Sequence, residues 1–496
     1  MAENTAAEAK VLRSLRHVLT WWLSPEWERQ ALYWQAALLM LVLVTVCAGG
    51  PVIAFAGAGL TALTIVWFSA PPKVIAAIFL LFLGFTHQFR SFLVLATAGV
   101  EWHPRELLLI ALGAYCVFRL LFYPSRLPSD SLNALVAMTG AYFVWTAAVG
   151  IFAQQDIHRI ASELRVPVFL LSYAALLQLV CREHLPFLRR AFCQFTMLLA
   201  LIAIAFFAYT LLSGNVGTTQ NALGEFVQRL VAGTLVQSVR PSGHMYYEVC
   251  LVVLVSLFFS SGISKSAKVV YAACIAVLLA ALAITMMRTA YASVAVSIVL
   301  LAFLSIPSAR ARYVITAVCA VSLLAGITLW LSPLHTLALQ IVPNLGVSIE
   351  SRFVEMAGAF RAFWQHPLVG TGMGSTFQAL GLAAKTSQLA YGQDTFQTIH
   401  NVWVFFLFKG GLVGFAMILT GLIGIFVVMA RRIPLLHDAR ERAILRGLTA
   451  AYGAQLVAML AMPRLLYASG CVFVAMMAAY TVIATSGQRA GRPAVR

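Results

Sequence analysis

Charge is what this chain has least of. Only 10% of its 496 residues are Asp, Glu, Lys or Arg, against roughly a quarter in a soluble domain, which excludes an ordinary water-soluble protein. Acids are the scarcer sign, 17 against 34 Lys plus Arg. On a soluble domain the formal charge of +17 would point to nucleic acid. In a chain that is 61% hydrophobic, it points instead to basic cytoplasmic loops between membrane spans. Metal and redox motifs are missing too. The eight cysteines lie in or at the ends of apolar runs with no C-x-x-C pair, so they read as packing residues, with no disulfide frame and no metal site. The run Gly370-Thr371-Gly372-Met373-Gly374 follows no strand and opens no βαβ unit, which argues against a nucleotide loop. Residues 1–30 are polar and lack the early apolar segment of a signal peptide. There is no internal repeat and no low-complexity tract.

Long apolar runs are what the chain has instead. A spanning helix needs about 20 mostly apolar residues. Such runs lie near 31–48, 52–69, 73–86, 105–123, 131–153, 164–180, 187–212, 245–262, 268–286, 288–306, 312–331, 403–430, 444–461 and 465–485. The third is short, and 91–100 reads as a re-entrant piece or its continuation. The expected fold class is an all-α polytopic membrane protein with about 12–14 transmembrane helices. A long periplasmic loop bearing short amphipathic helices is expected at 333–399. The expected divisions are 1–30, a cytoplasmic or interfacial N-terminal segment; 31–332, the first part of the transmembrane domain; 333–399, the large loop; 400–485, the last helices; and 486–496, a cytoplasmic tail. Within the first segment Val11, Leu12, Leu15, Val18, Leu19, Trp22 and Leu23 recur at helical spacing opposite Lys10, Arg13 and Arg16, as in a helix lying on a membrane surface. With the N-terminus inside and spans alternating, 22 of the 34 Lys/Arg fall on the cytoplasmic side. That bias places both termini in the cytoplasm.

This orientation leaves the 213–243 and 333–399 connections outside, with the candidate chemistry on them. Ionisable residues at a membrane edge are costly, so each needs a reason. Arg240 precedes Pro241, which suits the first turn of a helix. In that register His244 and Glu248 lie one turn apart on one face. Arg240 reads either as an anion ligand at a helix N-terminus or as an interfacial anchor with Glu248 as its buried partner. Arg288, alone between two apolar runs, reads as a snorkelling residue in a tight turn or as a bidentate phosphate ligand. Residues 350–365 have the pattern of an amphipathic helix carrying Arg352, another anion-binding candidate. Arg361 and His366 read as solvated or structural, and Pro367 with the three glycines imposes a turn or open loop. His400 places an imidazole where water meets an apolar helix, and its pKa range suits a general base. Asn401 reads as a helix cap or a substrate contact.

Ser351 to Gly414 resembles the conserved region of the O-antigen ligase and polymerase superfamily. The resemblance rests on Arg352, on His366-Pro367-Leu368-Val369-Gly370-Thr371-Gly372-Met373-Gly374-Ser375, on His400-Asn401 opening a helix, and on Gly411-Leu412-Val413-Gly414. Arg240 with Gly243, and Met287-Arg288-Thr289-Ala290, are similar to further motifs of the family. Lys409 departs from the acidic or polar residue expected before the G-L-x-G turn, which leaves the local partner of His400 open.

The resemblance implies a metal-independent, inverting glycosyltransferase without cofactors in the bacterial inner membrane, its active site facing the periplasm. The donor would be a glycan on undecaprenyl pyrophosphate. Arg240 and Arg288, with Arg352 carried over less directly, would hold the pyrophosphate. His400 would deprotonate the acceptor hydroxyl, with Asn401, His244 and Glu248 as accessory residues. The implied partners are the lipid-linked donor, a glycan or lipid A-core acceptor and membrane lipids, with no nucleic acid. A surface-polysaccharide (O-antigen or exopolysaccharide) polymerase is slightly favoured over an O-antigen ligase transferring to lipid A-core. A transporter of lipid-linked sugars fits less well, because the ionisable residues gather outside instead of near the midplane. A structural or assembly subunit fits least.

Overall fold

The computed structural model describes residues 95–97, 100–102, 130–213, 220–221, 224–231, 234–241, 244–285, 287–306, 345–378, 395–396, 399–462 and 464–489. The expected surface helix at 11–23, the first four spans, the span at 312–331 and the C-terminal tail beyond 489 lie outside these residues. The chain falls into two units, Met1–Pro124 with Pro186–Phe192, and Ser125–Leu185 with Cys193–Arg496. In the first unit β1 (Leu95–Thr97) pairs antiparallel with β2 (Val100–Trp102). Of the piece expected at 91–100, residues 95–97 and 100 are strand and not helix.

The second unit is helical, as expected of an all-α polytopic membrane protein. Its elements are α1 (Ser131–Phe152), α2 (Ile157–Leu164), a 3-10 turn at Pro167–Leu171, α3 (Ser172–Leu179) and most of α4 (Leu185–Ser213), whose residues 186–192 count with the first unit. A three-stranded antiparallel sheet of β3 (Gln220–Asn221), β4 (Gly224–Val231) and β5 (Thr234–Pro241) follows. Then come α5 (His244–Phe258), α6 (Lys265–Thr285), α7 (Arg288–Ser305) and α8 (Leu345–Gln365). After α8, β6 (Phe377–Gln378) pairs with β7 (Thr395–Phe396). The chain ends with α9 (Val402–Arg432), α10 (Ala439–Ala458) and α11 (Ala468–Arg489). Among the described residues six helical stretches are long and apolar enough to cross a membrane: Ser131–Phe152, Ile157–Leu179, Arg182–Ala205, Lys265–Thr285, Val402–Leu435 and Ser469–Ser486. Met245–Phe258 and Thr289–Ser305 are shorter apolar helices.

Two local expectations change. The span expected at 164–180 is not one helix. Pro167 has no N–H to donate to the preceding turn, and the chain tightens to a 3-10 turn there before α3 begins. Pro241 ends β5 instead of opening α5, which starts at His244.

The centre of the unit is the antiparallel pair α1 and α9. Glycines on α9 face bulky groups on α1: Gly414 meets Tyr142 and Trp145, Gly421 meets Thr139, and Gly424 meets Leu135. A Cβ at Gly421 would lie 2.3 Å from Thr139 Oγ1. Small residues let helix backbones approach where hydrocarbon gives no hydrophobic drive. Helix α10 runs antiparallel to α5, with Ser256 Oγ donating to the Ala443 carbonyl at 2.6 Å and Gln455 reaching Glu248. Its C-terminal end receives α9, where the Val402 amide donates to the Met459 carbonyl at 2.9 Å. The starts of α5, α7 and α9 and the end of α10 are thus collected at one end of the bundle. At the other end Arg432, the last residue of α9, forms a buried ion pair with Asp130, the N-cap of α1, and donates to Thr485 of α11 at 3.3 Å.

Candidate functional site

His400 lies immediately before α9, and its imidazole is partly open, 37% exposed. Its partner is Glu355, one face of α8, which is 4% exposed. The His400 Nδ1 is 2.9 Å from Glu355 Oε2 and 3.2 Å from Oε1. The His400 backbone N–H also donates to Oε2 at 3.2 Å. Two contacts to one carboxylate fix both the loop and the ring. A carboxylate at Nδ1 holds the proton of the neutral ring there, leaving Nε2 as the basic nitrogen. Asn401 is a cap: its Oδ1 accepts from the amides of Trp403 at 3.1 Å and Val404 at 3.2 Å. That satisfies two of the donors that every helix start leaves free.

The glycine turn after α8 has a defined task. Helix α9 is broken at Gly411, whose φ of 63° and ψ of −168° are open to glycine alone. A break leaves amides and carbonyls without helical partners, and inside a membrane each must be met by protein. The segment 367–373 meets them. The amides of Leu412 and Val413 donate to the carbonyls of Pro367 at 2.9 Å and Leu368 at 3.1 Å. The carbonyls of Phe408 and Lys409 accept from the amides of Thr371 at 3.0 Å and Gly372 at 2.9 Å. Trp145 Nε1 donates to the Gly410 carbonyl at 3.2 Å. The approach is so close that a Cβ on Gly370 would lie 2.4 Å from the Gly411 nitrogen. Gly370, Gly372 and Gly374 all have positive φ. The turn is a splint for the broken helix.

Lys409 lies within this splint. Its Nζ donates to Glu163 Oε1 at 2.8 Å and to the Ser375 carbonyl at 2.8 Å, and the side chain is buried. Lys409 therefore ties α2 and the glycine turn to α9, and the local partner of His400 is Glu355. A third pair lies deeper at the same end. Arg464 Nη2 donates to Glu248 Oε1 at 2.8 Å and Nη1 to Oε2 at 2.9 Å, both residues being buried. Gln455 Nε2 donates to Glu248 Oε2 at 3.0 Å and lies 3.3 Å from Ser293 Oγ, while Arg464 Nη1 also donates to Gln455 Oε1. Glu248 thus has a buried partner in Arg464.

The remaining candidates are placed by backbone. Arg240 is the second-last residue of β5, in register with Glu225 of β4. His244 opens α5 and Arg288 opens α7. The fold thus brings His244, Arg288 and His400 to the same end of the bundle. Arg352 is on α8 one turn before Glu355, half-buried, and forms no ion pair among the described residues. Among the described residues no cluster of three or more His, Cys, Asp or Glu is placed to hold a metal ion.

Three residues escape sequence reasoning: Glu355, Arg464 and Glu163. Glu355 carries a signal, since it falls on the inner stripe of an amphipathic helix that also holds Arg352. Arg464 stands alone between two apolar runs, which marks a costly charge without naming its partner. Glu163 carries no such signal.

Residues 272–419 match the family model Wzy_C, described as O-Antigen ligase. The match takes in Arg288, Arg352, Glu355, the glycine turn and His400, and bears out the resemblance read from those motifs. Arg240, His244, Glu248 and Arg464 lie outside it. No curated protein matches the chain. Among solved structures, the chain is similar to one chain of a peptidoglycan synthase complex whose polymerization and crosslinking are structurally coordinated. Identity is 15% and the TM-score 0.42, with 74% of this chain and 100% of that chain covered.

Proposed function

We propose, with the O-Antigen ligase match over residues 272–419 as premise, that this multi-pass membrane protein is a glycosyltransferase acting on a lipid-linked glycan at the periplasmic face of the bacterial inner membrane. The donor is a glycan on undecaprenyl pyrophosphate and the acceptor a sugar hydroxyl. His400 Nε2 takes the hydroxyl proton as the oxygen attacks the anomeric carbon. The bond from that carbon to pyrophosphate breaks, with inversion, and undecaprenyl pyrophosphate leaves. Arg240, Arg288 and Arg352 are the groups assigned to the diphosphate, where fixed guanidinium charge stabilises the departing anion without a metal. Glu355 orients the ring and stabilises the imidazolium that forms, as a carboxylate does behind a histidine base.

The observation that carries this reading is the His400–Glu355 pair. A buried carboxylate holds one ring nitrogen, and the ring itself is partly exposed. Orientation is part of the proposal: both termini inside places His400, Glu355, Glu248, Arg464, Glu163 and Lys409 outside, and Asp130 with Arg432 inside. Every one of these ion pairs then joins residues on one side of the membrane. Joining repeat to repeat, as in a polymerase, is taken as the reaction; lipid A-core is the competing acceptor.

The test is a reconstituted assay with undecaprenyl-pyrophosphate glycan and each acceptor in turn, in EDTA. The wild-type chain releases undecaprenyl pyrophosphate and lengthens the glycan on lipid. His400→Ala folds and binds donor but loses roughly 100- to 10,000-fold in rate. A His400→Ala protein that turns over normally removes the assigned base. Transfer that stops in EDTA removes metal independence, and transfer only to lipid A-core makes the enzyme a ligase.

A further inference from the structure

Helix α8 has two faces, and the site uses only one. The inner stripe carries Glu355, Gly358, Ala359 and Phe363, all buried. A Cβ on Gly358 would lie 2.4 Å from the Gln378 carbonyl, so this face is tight against β6. The opposite stripe, Phe353, Phe360 and Trp364, is exposed at helical spacing, and Leu368 continues it into the turn. Trp364 is 72% exposed and Leu368 63%. Large apolar side chains in a row on one helix face are not left to water without a covering partner.

The position of that row is fixed by the splint. The Leu412 and Val413 amides bond to Pro367 and Leu368, so the stripe runs directly onto the first residues after the Gly411 break. Leu412 to Arg432 is 21 residues, about 31 Å of helix at 1.5 Å per residue. That matches a hydrocarbon core about 30 Å thick; the whole of α9 at about 46 Å would overshoot it. The break therefore marks the upper edge of the spanning half. Leu412 and Val413, at that edge, are themselves exposed. Arg361, next to Phe360 in sequence, is exposed and adds a cation at the border of the stripe.

We propose that α8 is an interfacial helix whose outer stripe of Phe353, Phe360, Trp364 and Leu368 is seated in the acyl chains of the bilayer just beneath the headgroups. Trp and Phe on one face with a basic residue at the boundary is the composition such a seat requires. The bilayer then covers one side of α8 while the other side presents Glu355 to His400. Lipid packing, and not protein packing alone, sets the height of the His400–Glu355 pair. This inference does not need the proposed reaction, and its test reads lipid contact with no turnover.

The first measurement uses the full chain in vesicles of phosphatidylcholine and phosphatidylglycerol, with or without bromine on the upper acyl carbons. Trp364→Phe removes one of ten tryptophans, and the emission lost should be the part that brominated lipid quenches. If bromine quenches both proteins by the same amount, Trp364 does not touch lipid and the proposal fails. The second measurement places a nitroxide at Trp364→Cys in a chain whose native cysteines are replaced. Relaxation by oxygen exceeding that by a water-soluble nickel chelate, the reverse of a label at Ser264→Cys, is the expected result. Greater access to nickel puts the stripe in water, and access to neither reagent puts it against protein, such as a second copy; both overturn the proposal.

Discussion

Glu248 and Glu355 lie at the same end of the bundle, and each meets a cationic or basic nitrogen at close range, 2.8 Å to Arg464 and 2.9 Å to His400. They differ in what surrounds the pair. Glu248 and Arg464 are 1% and 4% exposed, with Gln455 bonded to both. Glu355 is as buried as Arg464, but His400 is 37% exposed. A closed pair has no access to a reactant, and its main property is that breaking it leaves an uncompensated buried charge. A pair closed on the carboxylate side and open on the imidazole side has a fixed base that meets whatever enters. A carboxylate beside a nitrogen group therefore supports structure at one position and proposed chemistry at the other, and two things separate them: a guanidinium that keeps its proton against an imidazole that can take one, and solvent access.

The largest expected effect tests the closed pair. Arg464→Ala leaves Glu248 buried and unpaired and should lower stability by about 3–5 kcal/mol, read as a large fall in unfolding temperature in detergent. Replacing both, Glu248→Leu with Arg464→Met, should recover much of the loss; a double variant worse than the single one would contradict this account. Next is the splint. Gly411→Ala must either leave φ 63° or drive a Cβ to 2.3 Å from the Leu368 carbonyl. Strain of this kind is worth on the order of 1–3 kcal/mol before the clash is counted, and Gly370→Ala should behave alike. Wild-type stability in either variant would mean that the turn does not press on the break.

The open pair gives the next smaller effect. Glu355→Gln keeps a hydrogen-bonding group at Nδ1 but removes the charge behind the imidazolium. Transfer should slow about tenfold, equivalent to about 1.4 kcal/mol in the barrier, with the unfolding temperature nearly unchanged. If stability falls and the rate does not, Glu355 belongs with Glu248 and the comparison collapses. Smallest is Asn401→Ala, which removes a cap worth about 1 kcal/mol. A thermal shift of that order with little change in donor affinity is expected; a large change in affinity would restore the substrate-contact reading of Asn401.

The helices from 131 to 153 and 403 to 430 were legible because a run of about 20 apolar residues has few alternatives in a membrane. The motif His400-Asn401 was legible as an ionisable group at a helix start. The meaning of Gly370-Thr371-Gly372 was not, because each glycine answers to a neighbour on another element: Gly370 to Gly411, and Gly372 to Gly150. The strands at 224–241 were hidden inside a stretch that lacked the long apolar run used to find elements elsewhere. The role of Lys409, which departs from the acidic or polar residue expected there, is not legible locally, because its side chain pairs with Glu163, 246 positions away.

Composition and hydropathy alone determine that this chain lives in a membrane as a stack of helices, since continuous apolar runs of about 20 residues meet their backbone hydrogen bonds in lipid as helices. They also limit the ionisable residues to so few that the candidate chemistry narrows to a handful of positions. Tertiary structure decides which of those charges are closed on themselves and which remains accessible. Pairing partners such as Glu355 for His400 and Arg464 for Glu248 are set by how helices distant in sequence pack, and local residue pattern carries no record of that distance.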